Sequence, residues 1–153
     1  MRIDRIELTN FKKYSEHSFD LHPHFTLFIG DNASGKTTVL DAVAVALGVW
    51  LVDVPDTRIA RRNILPSEIH LKPEVKPERI QFVECKPVSV RASGSVAGLS
   101  RASWTRMIRQ TGKRTTNAEA NDVLIAISSL YHRDAAGEPV VFPVIAYYGA
   151  GRA

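Results

Sequence analysis

Residues 30–38 read G-D-N-A-S-G-K-T-T, and they constrain the structure more closely than any other segment of the chain. The first eight of them match the pattern G-x-x-x-x-G-K-[ST] at every fixed position. Glycines let the backbone curl so that successive N–H groups point at phosphate oxygens, and a following helix adds free N–H donors and the positive end of its dipole. The pattern therefore predicts a phosphate-binding loop and a helix that begins near Lys36.

The residue types in this loop indicate what it binds. Lys36 supplies a mobile positive charge for β- and γ-phosphates, and the Thr37 hydroxyl supplies one ligand to Mg²⁺, which prefers oxygen. We expect ATP and Mg²⁺ as the cofactors, because a guanine-binding Asn-Lys-x-Asp motif and a kinase lid with clustered arginines are both missing from the sequence. The residues predicted to contact the nucleotide are Gly30, Asp31, Asn32, Ala33, Ser34, Gly35, Lys36, Thr37 and Thr38.

The segments on either side of the loop predict the layers around it. Residues 25–29 are almost continuously apolar, as expected for a strand that is covered on both faces. Residues 39–47 are apolar nearly all round, which favours a central, buried helix that ends near Gly48. Residues 57–76 contain two prolines and show little periodicity, so we predict a surface connection there.

The rest of the chain predicts antiparallel strands and one more helix. Residues 1–11 alternate between apolar and polar side chains, which favours a strand with one wet face, followed by a turn at residues 10–14 and a second strand. The later elements are predicted in this order: strands within residues 79–114 with a hairpin turn at 92–98, an amphipathic helix at 117–133, and a second covered strand at 140–148.

Composition excludes several classes of protein. The chain has 153 residues, the size of one domain, and 44% of them are hydrophobic, which is enough for a real core. The longest apolar stretch, residues 43–52, is too short to span a bilayer, and the N-terminus lacks the pattern of a secretory signal. We therefore expect a cytoplasmic protein without a membrane partner. The single cysteine, Cys85, excludes an internal disulfide and a multi-cysteine zinc site.

The charge of the chain bears on nucleic-acid binding. A net charge of +4 is compatible with a nucleic-acid partner. The arginines are scattered over several segments of the sequence rather than forming one stripe. We therefore expect nucleic-acid binding that is weak and strongly salt-dependent.

Two segments carry a resemblance to a known group of proteins. The opening I-x-x-I-x-L-x-N-F-K-K-Y, followed by F-I-G-D-N-A-S-G-K-T-T, resembles the ABC-type ATPase heads of SMC, RecF and related repair proteins. The last segment, L-Y-H…P-V-I-A-Y-Y-G-A-G-R, resembles bacterial stand-alone ATPases of the phage-defence and predicted-virulence type, relatives of the Septu ATPase and of overcoming-lysogenization-defect nucleases. The resemblance implies an α/β P-loop NTPase fold, in which residues 1–153 form an N-terminal lobe with a mixed sheet, one phosphate-loop helix and an antiparallel β-extension.

The resemblance also implies roles for residues outside the loop. Lys12 and Lys13 match a basic turn that approaches the nucleotide, although a solvated hairpin turn is an equal alternative. The strand that ends at Tyr148 matches the strand leading to the Q-loop, whose glutamine senses the γ-phosphate, but no glutamine is present here. Arg152 has two interpretations, a contact to phosphate or a partner and a solvated terminal arginine.

Part of a hydrolytic site has no match in the sequence. Such a site needs apolar strand residues followed by Asp-Glu, which hold Mg²⁺ and polarise the attacking water. The candidate that comes nearest, residues 49–53, ends in Asp53 without the glutamate and directly follows the predicted helix. The alternative is a helix end that packs Trp50 and Leu51. The sequence also lacks a signature that resembles L-S-G-G-Q.

Two hypotheses of function remain. The first is ATP binding as part of an ABC/SMC-like ATPase, which hydrolyses ATP in the complete protein and is coupled to DNA repair or anti-phage defence. Its implied partners are the C-terminal half of the head, a second copy of the chain, a nuclease and DNA. The second is a non-hydrolysing nucleotide-binding module that regulates a partner. Under either hypothesis we expect the chain alone to be catalytically inactive.

Overall fold

A computed structural model describes residues 1–52 and 61–149 of the chain. Within these residues lie seven strands and two α-helices. Their bounds are β1 (Arg2–Phe11), β2 (Tyr14–Asp20), α1 (Lys36–Leu47), β3 (Leu71–Lys76), β4 (Arg79–Glu84), β5 (Val88–Val96), β6 (Leu99–Ile108), β7 (Thr116–Ala118) and α2 (Asn121–Ala135). Five strands form one sheet in the order β2-β1-β5-β6-β7, and β3 and β4 form a second sheet.

The central strands β1 and β5 follow from alternating apolar residues. Ile6 and Leu8 of β1 are buried, whereas Glu7 between them lies on the partly exposed face. In β5 every second residue from Val88 to Val96 is buried. All the pairings of the five-stranded sheet are antiparallel, and β1 turns directly into β2 where Phe11 pairs with Tyr14. The predicted first strand, its wet face and the turn after it are confirmed.

Helix α1 begins at Lys36, as predicted, and lies against the larger sheet. Val45 and Ala46 of this helix are fully buried in the core. The indole Nε1 of Trp104 in β6 donates a hydrogen bond of 3.0 Å to the carbonyl oxygen of Ala46. The helix is central, but its predicted burial all round is wrong, because Leu40 on its outer side is 46% exposed.

Helix α2 confirms the predicted amphipathic helix. It begins at Asn121 rather than at residue 117, because Thr116–Ala118 pairs with β6 as the edge strand β7. Val123 and Ile127 form its buried face. Tyr131 of the same helix stacks on the ring of Phe142, with the ring centroids 5.1 Å apart, and so holds the segment after α2 against the helix.

The two predicted covered strands are wrong. Residues 25–29 and 140–148 run outside any sheet, and Ile29 and Val144 are 86% and 98% exposed. A strand needs a hydrogen-bonded neighbour and a buried strand needs covering layers; neither segment has these among the described residues. The two segments do border one cavity of about 360 Å³, which is lined by residues 21–26 and 143–146. The continuous apolar character of these segments therefore predicted burial, but it did not show which elements would have to pack over them.

Two predicted boundaries in the middle of the chain are also wrong. The predicted surface connection at residues 57–76 contains β3, whose side chains are all exposed and whose backbone pairs with β4. The hairpin turn predicted at residues 92–98 consists of Ala97 and Gly98, with φ of 49° and 88°. Gly94 stays within β5 because it permits a close approach of β1: a Cβ there would lie 2.1 Å from the carbonyl oxygen of Arg2.

Candidate phosphate-binding site

The predicted loop connects residue 29 to helix α1 in a conformation held by its own backbone. The ammonium of Lys36 donates hydrogen bonds to the carbonyl oxygens of Gly30 and Asp31, at 2.6 and 2.7 Å. The N–H of Ser34 donates to the carbonyl oxygen of Asp31 at 3.2 Å, which closes a turn. Ala33 has a φ of 64°, so the backbone bends through the left-handed region there. The Lys36 side chain thus lies across the loop, and its predicted contact to phosphates stays a prediction.

Gly35, the residue immediately before α1, cannot carry a side chain in this conformation. Its φ is 105°, which L-residues rarely adopt, and a Cβ would lie 2.5 Å from the hydroxyl of Tyr14. The same Cβ would lie 3.1 Å from the side chain of Lys13. The glycine is therefore required both by the bend and by the turn between β1 and β2, which packs on the start of the helix.

The first turn of α1 is suited to an anion. Gly35 offers no side-chain cap, and the first turn contains no acidic residue, so neither a cap nor a carboxylate competes for its N–H donors. Thr37 is exposed at this end, where its hydroxyl is free to face a ligand, whereas Thr38 is buried. Exposed residues Asp31, Asn32, Ala33 and Ser34 form the rim. Free N–H donors, the Lys36 cation and an accessible hydroxyl are the groups that fit a nucleotide phosphate and Mg²⁺.

The structure separates the two lysines of the β1–β2 turn. The ammonium of Lys13 donates to the carbonyl oxygens of Ala33 and Ser34, the first of these at 3.2 Å. The ammonium of Lys12 instead donates to Asp41 of α1 and lies 3.2 Å from Oε1 of Glu68. Lys13 is therefore placed at the loop, and Lys12 is placed in an ion cluster below it.

This ion cluster consists of Lys12, Asp41, Arg62 and Glu68, and the sequence analysis missed the last three. Arg62 forms a bidentate pair with Glu68, and its Nη2 lies 3.5 Å from Oδ1 of Asp41. The backbone N–H of Leu65 donates to Glu68 at 2.9 Å. Asp41, the one acidic residue of α1, was the signal in the sequence, because such a carboxylate needs a cationic partner when it is buried.

The cluster lowers the pKa of both carboxyl groups. Burial alone would raise the pKa of Asp41, but hydrogen bonds from Lys12 and Tyr147 and the charges of Lys12 and Arg62 outweigh it. Burial likewise opposes the lowered pKa of Glu68, which results from the hydrogen bonds and charge of Arg62, with help from Leu65 and Lys12. Both carboxylates are therefore ionised at neutral pH, and their charges are engaged within the cluster.

Tyr147 joins the exposed C-terminal segment to this cluster. Its hydroxyl donates a hydrogen bond to Oδ1 of Asp41. That hydrogen bond, with burial and the charge of Asp41, raises the pKa of Tyr147 to about 12. Tyr148, at the position that the resemblance assigns to the end of the Q-loop strand, is 80% exposed. Residues 140–149 are thus attached to α1 through one hydroxyl rather than through strand pairing.

Two further sequence predictions concern residues near the ends of the described ranges. Residues 49–51 are part of a 3-10 helix at Gly48–Leu51, and Trp50 is 3% exposed, so the acidic strand end proposed there is wrong and the packed helix end is confirmed. Asp53 and Arg152 lie outside the described residues. Among the described residues, no helix is long and apolar enough to cross a membrane.

Two of the curated proteins with similar sequences carry the name DNA replication and repair protein RecF. The DNA replication and repair protein RecF of Lysinibacillus sphaericus (strain C3-41) is 40% identical over 100 residues, which cover 55% of this chain and 27% of that protein. RecF of Lactococcus lactis subsp. lactis (strain IL1403) is 46% identical over 43 residues, which cover 28% of this chain and 12% of that protein. The chain thus spans well under a third of the length of these relatives.

The fold is similar to that of a solved ATPase. A structure described as "Structural biochemistry of ATP-driven dimerization and DNA stimulated activation of SMC ATPases" matches with a TM-score of 0.53 and 18% identity, over 84% of this chain and 80% of that chain. The likeness confirms the predicted α/β fold class of a P-loop NTPase, although the pairings of the described strands are all antiparallel and not mixed. Together with the RecF relatives, it supports the predicted resemblance to SMC and RecF proteins. Residues 5–152 match the family described as AAA domain. Because this match spans nearly the whole chain, the protein belongs to the AAA domain family.

Proposed function

We propose that the chain binds Mg-ATP through residues 30–38, as the N-terminal lobe of an SMC/RecF-like ATPase head. The observation that carries the proposal is the position of Lys36, whose ammonium lies across the loop on the carbonyl oxygens of Gly30 and Asp31. An ammonium held there can exchange these weakly charged acceptors for phosphate oxygens without a change in the fold. The uncapped N–H groups at the start of α1 then bind the same phosphates.

Other side chains of the chain complete the proposed site. Thr37 supplies a hydroxyl ligand to Mg²⁺, which neutralises phosphate charge when it is bound. Lys13 is held at the loop by the carbonyl oxygens of Ala33 and Ser34 and adds a second cation. The role of Lys12 at the nucleotide remains a prediction; its ammonium is engaged by Asp41 and Glu68, and a contact to the nucleotide would require breaking this cluster.

The coupling of ATP to a larger activity is proposed from the comparisons. The matched SMC structure is described by ATP-driven dimerization and DNA stimulated activation, and the RecF relatives are named for DNA replication and repair. By analogy, we propose that this lobe completes its site with a C-terminal half and a second copy, hydrolyses ATP there, and acts on DNA. The resemblance of residues 130–152 to phage-defence ATPases supports anti-phage defence and a nuclease partner as the finer proposal.

One observation favours the alternative of a non-hydrolysing regulatory module. The buried carboxylates of the described part, Asp41 and Glu68, are both bound by cations of the ion cluster. Neither is therefore free to polarise a water beside the loop. The chain on its own would in that case bind ATP and signal occupancy without turnover.

Calorimetric titration of the chain with ATP in the presence of Mg²⁺ tests the proposal. Lys36→Ala should weaken binding about 100-fold or more, because it removes charge-assisted hydrogen bonds worth roughly 1.5–3 kcal/mol each. Its folding should be unchanged, since its ammonium contacts only the loop. Lys72→Ala, an exposed lysine of β3, is the matched control and should bind like the wild type. Equal affinity in all three proteins would exclude the loop as the site.

A further inference from the structure

A second cationic site lies at the opposite end of α1 from the phosphate loop. A cavity of about 460 Å³ opens beside β7. Among the described residues, its lining contains no acidic side chain and four cationic ones: Arg61, Arg106, Lys113 and Arg114. These residues come from three separate segments of the chain. Basic residues that the sequence places far apart therefore converge in space, while the weak, strongly salt-dependent binding expected from their scattering in the sequence stays a prediction.

Arg106 forms the buried part of this cavity. The residue is 2% exposed, and its Nε has no hydrogen-bond partner among the described residues. Its Nη2 donates to Oδ1 of Asn63 at 2.6 Å, and its Nη1 donates to the carbonyl oxygen of Val45 at 3.3 Å. Both acceptors are neutral, and no carboxylate of the described part pairs with the guanidinium. A buried charge without a counter-charge is costly, so this position favours an anion.

Arg106 remains a cation under ordinary conditions. Burial, and then the nearby charge of Arg61, lowers the pKa of Arg106 to about 10. The guanidinium is therefore charged at neutral pH, and an anion bound beside it would relieve both effects. A structural role at the end of α1 explains its contact to Val45, but it does not explain why Arg61 lies beside it.

The walls of the cavity are fixed by contacts that leave the other cations free. The hydroxyl of Thr115 accepts a hydrogen bond of 3.0 Å from the N–H of Ile64, which joins the two loops that carry the cations. Lys113 and Arg114 are exposed on the β6–β7 loop and make no ion pair within the described part of the chain. Two unpaired, exposed cations above a buried one are an arrangement that suits successive phosphates of a polyanion.

This cavity is separate from the nucleotide site. Arg106 contacts Val45 near the C-terminal end of α1, whereas the phosphate loop precedes Lys36 at its N-terminal end. At 1.5 Å per residue, the two ends lie roughly 16 Å apart along the helix axis. One nucleotide cannot place the same phosphate at both ends. A phosphate bound in this cavity would therefore be a different one from those held at the loop.

We propose that the cavity between residues 61–64 and 113–117 binds backbone phosphates of a nucleic acid, with Arg106 as the buried anchor and Lys113 and Arg114 at the entrance. The proposal rests on the proposed association with DNA and assigns that association to these residues. A free phosphate ion offers the same chemistry, and the experiment below separates the two.

The test is the binding of a fluorescein-labelled 20-base-pair DNA duplex to the 153-residue chain, followed by anisotropy between 50 and 200 mM salt. The double variant Lys113→Gln with Arg114→Gln should lower the salt slope by about 2 units and weaken binding at least tenfold at 50 mM salt. The double variant Lys72→Gln with Arg79→Gln removes the same charge from the β3–β4 hairpin and should change binding little. Equal losses in the two double variants would overturn the proposal, and so would unchanged binding in the first.

Arg106 is tested with two substitutions, because its removal also affects α1. Arg106→Met should abolish the cavity's contribution to DNA binding, and Arg106→Lys should restore part of it. Circular dichroism in urea gives the folded fraction of each variant, so that lost binding is compared at equal folding. If folded Arg106→Met bound DNA like the wild type, the guanidinium would be a helix cap and the proposal would be overturned.

Two further measurements separate the outcomes. Titration with inorganic phosphate shows whether the cavity is a site for free phosphate. If the variant of Lys113 and Arg114 lost phosphate binding but still bound DNA, the nucleic-acid proposal would be overturned. Titration with ATP separates this proposal from the nucleotide site, because the cavity variants should bind ATP normally. If the wild-type chain binds ATP but no DNA, the DNA-binding proposal for the cavity is refuted and the ATP-binding proposal for the loop stands. If it binds DNA but no ATP, the ATP-binding proposal alone is refuted.

Discussion

The hydroxyl of Tyr147 donates its hydrogen bond to Asp41, a carboxylate in the middle of the phosphate-loop helix. This contact joins an exposed segment, which has no strand partner among the described residues, to the more buried of the two described α-helices. Asp41 also binds Lys12 of the β1–β2 turn, and that turn carries Lys13 to the loop. One carboxylate of α1 thus contacts both the β1–β2 turn and the C-terminal segment.

Removal of the Tyr147 hydroxyl should destabilise the chain modestly. Tyr147→Phe deletes one hydrogen bond to an ionised group, and we expect the free energy of unfolding to fall by about 1 kcal/mol. Urea unfolding at pH 7 measures the change. Tyr148→Phe is the matched control, because Tyr148 is 80% exposed and should be neutral. An equal effect of both substitutions would show that the contact to Asp41 contributes nothing.

Stability should decline in acid because of the ion cluster. The folded state lowers the pKa of Asp41 and of Glu68 below the ordinary values of these side chains, 3.8 and 4.5. A lowered pKa means that the unfolded chain takes up protons first, so the stabilisation is complete above about pH 5.5 and is lost as the pH falls through 4 and below. Urea midpoints between pH 7 and 3 measure this decline. In Glu68→Gln the curve should be lower at pH 7 and flatter towards acid; a parallel curve would contradict the assignment.

Lys12 and Lys13 should have different functions although they are adjacent. Lys13→Gln should weaken Mg-ATP binding severalfold with little effect on unfolding, because its ammonium contacts carbonyl oxygens of the loop and the ring of Tyr14 and makes no ion pair within the described residues. Lys12→Gln should lower the free energy of unfolding by roughly 1–3 kcal/mol, because it leaves two buried carboxylates, Asp41 and Glu68, with Arg62 as their remaining cation in the ion cluster. Calorimetry and urea unfolding of both variants give the comparison. The reverse pattern would place Lys12, and not Lys13, at the nucleotide.

The chain alone should bind Mg-ATP without measurable turnover. Lys36 and Thr37 can hold phosphates and metal, but transfer also needs a positioned water and charge stabilisation around the transition state. Phosphate release from the purified chain is the measurement, with Lys36→Ala as the control for contaminating enzymes. Turnover that disappears in Lys36→Ala would show that a catalytic carboxylate is present, and Asp53 would be the first to substitute. Activity that appears only with a C-terminal half would support the split site.

Local patterns predicted the local structure well. The glycine spacing predicted the bend at Gly35 and a helix from Lys36, and the alternation around Ile6 predicted β1, because these conformations depend on near neighbours in sequence. The contacts that the sequence did not predict join distant residues. Glu68 meets Lys12, and Arg106 meets Asn63, only after the sheet and helix have packed.

The wrong strand predictions have a different cause. An apolar run such as residues 25–29 shows that the segment can be buried, but burial depends on partners elsewhere. Phe25 and Leu27 are 72% and 65% exposed, since no described element covers them. The apolar pattern therefore showed that these residues can be buried, but it could not show which elements surround them.

The contact between Gly48 and Arg106 determines how substitutions at these two positions combine. A Cβ at Gly48 would lie 2.2 Å from Nη1 of Arg106, whereas the next obstacle, the carbonyl oxygen of Arg62 at 3.1 Å, needs only a small shift. Gly48→Ala should therefore be harmful beside arginine and tolerated beside a shorter side chain at position 106. In a library of double variants, the effects of substitutions at the two positions should not be additive, and related sequences with a larger residue at position 48 should lack arginine at position 106.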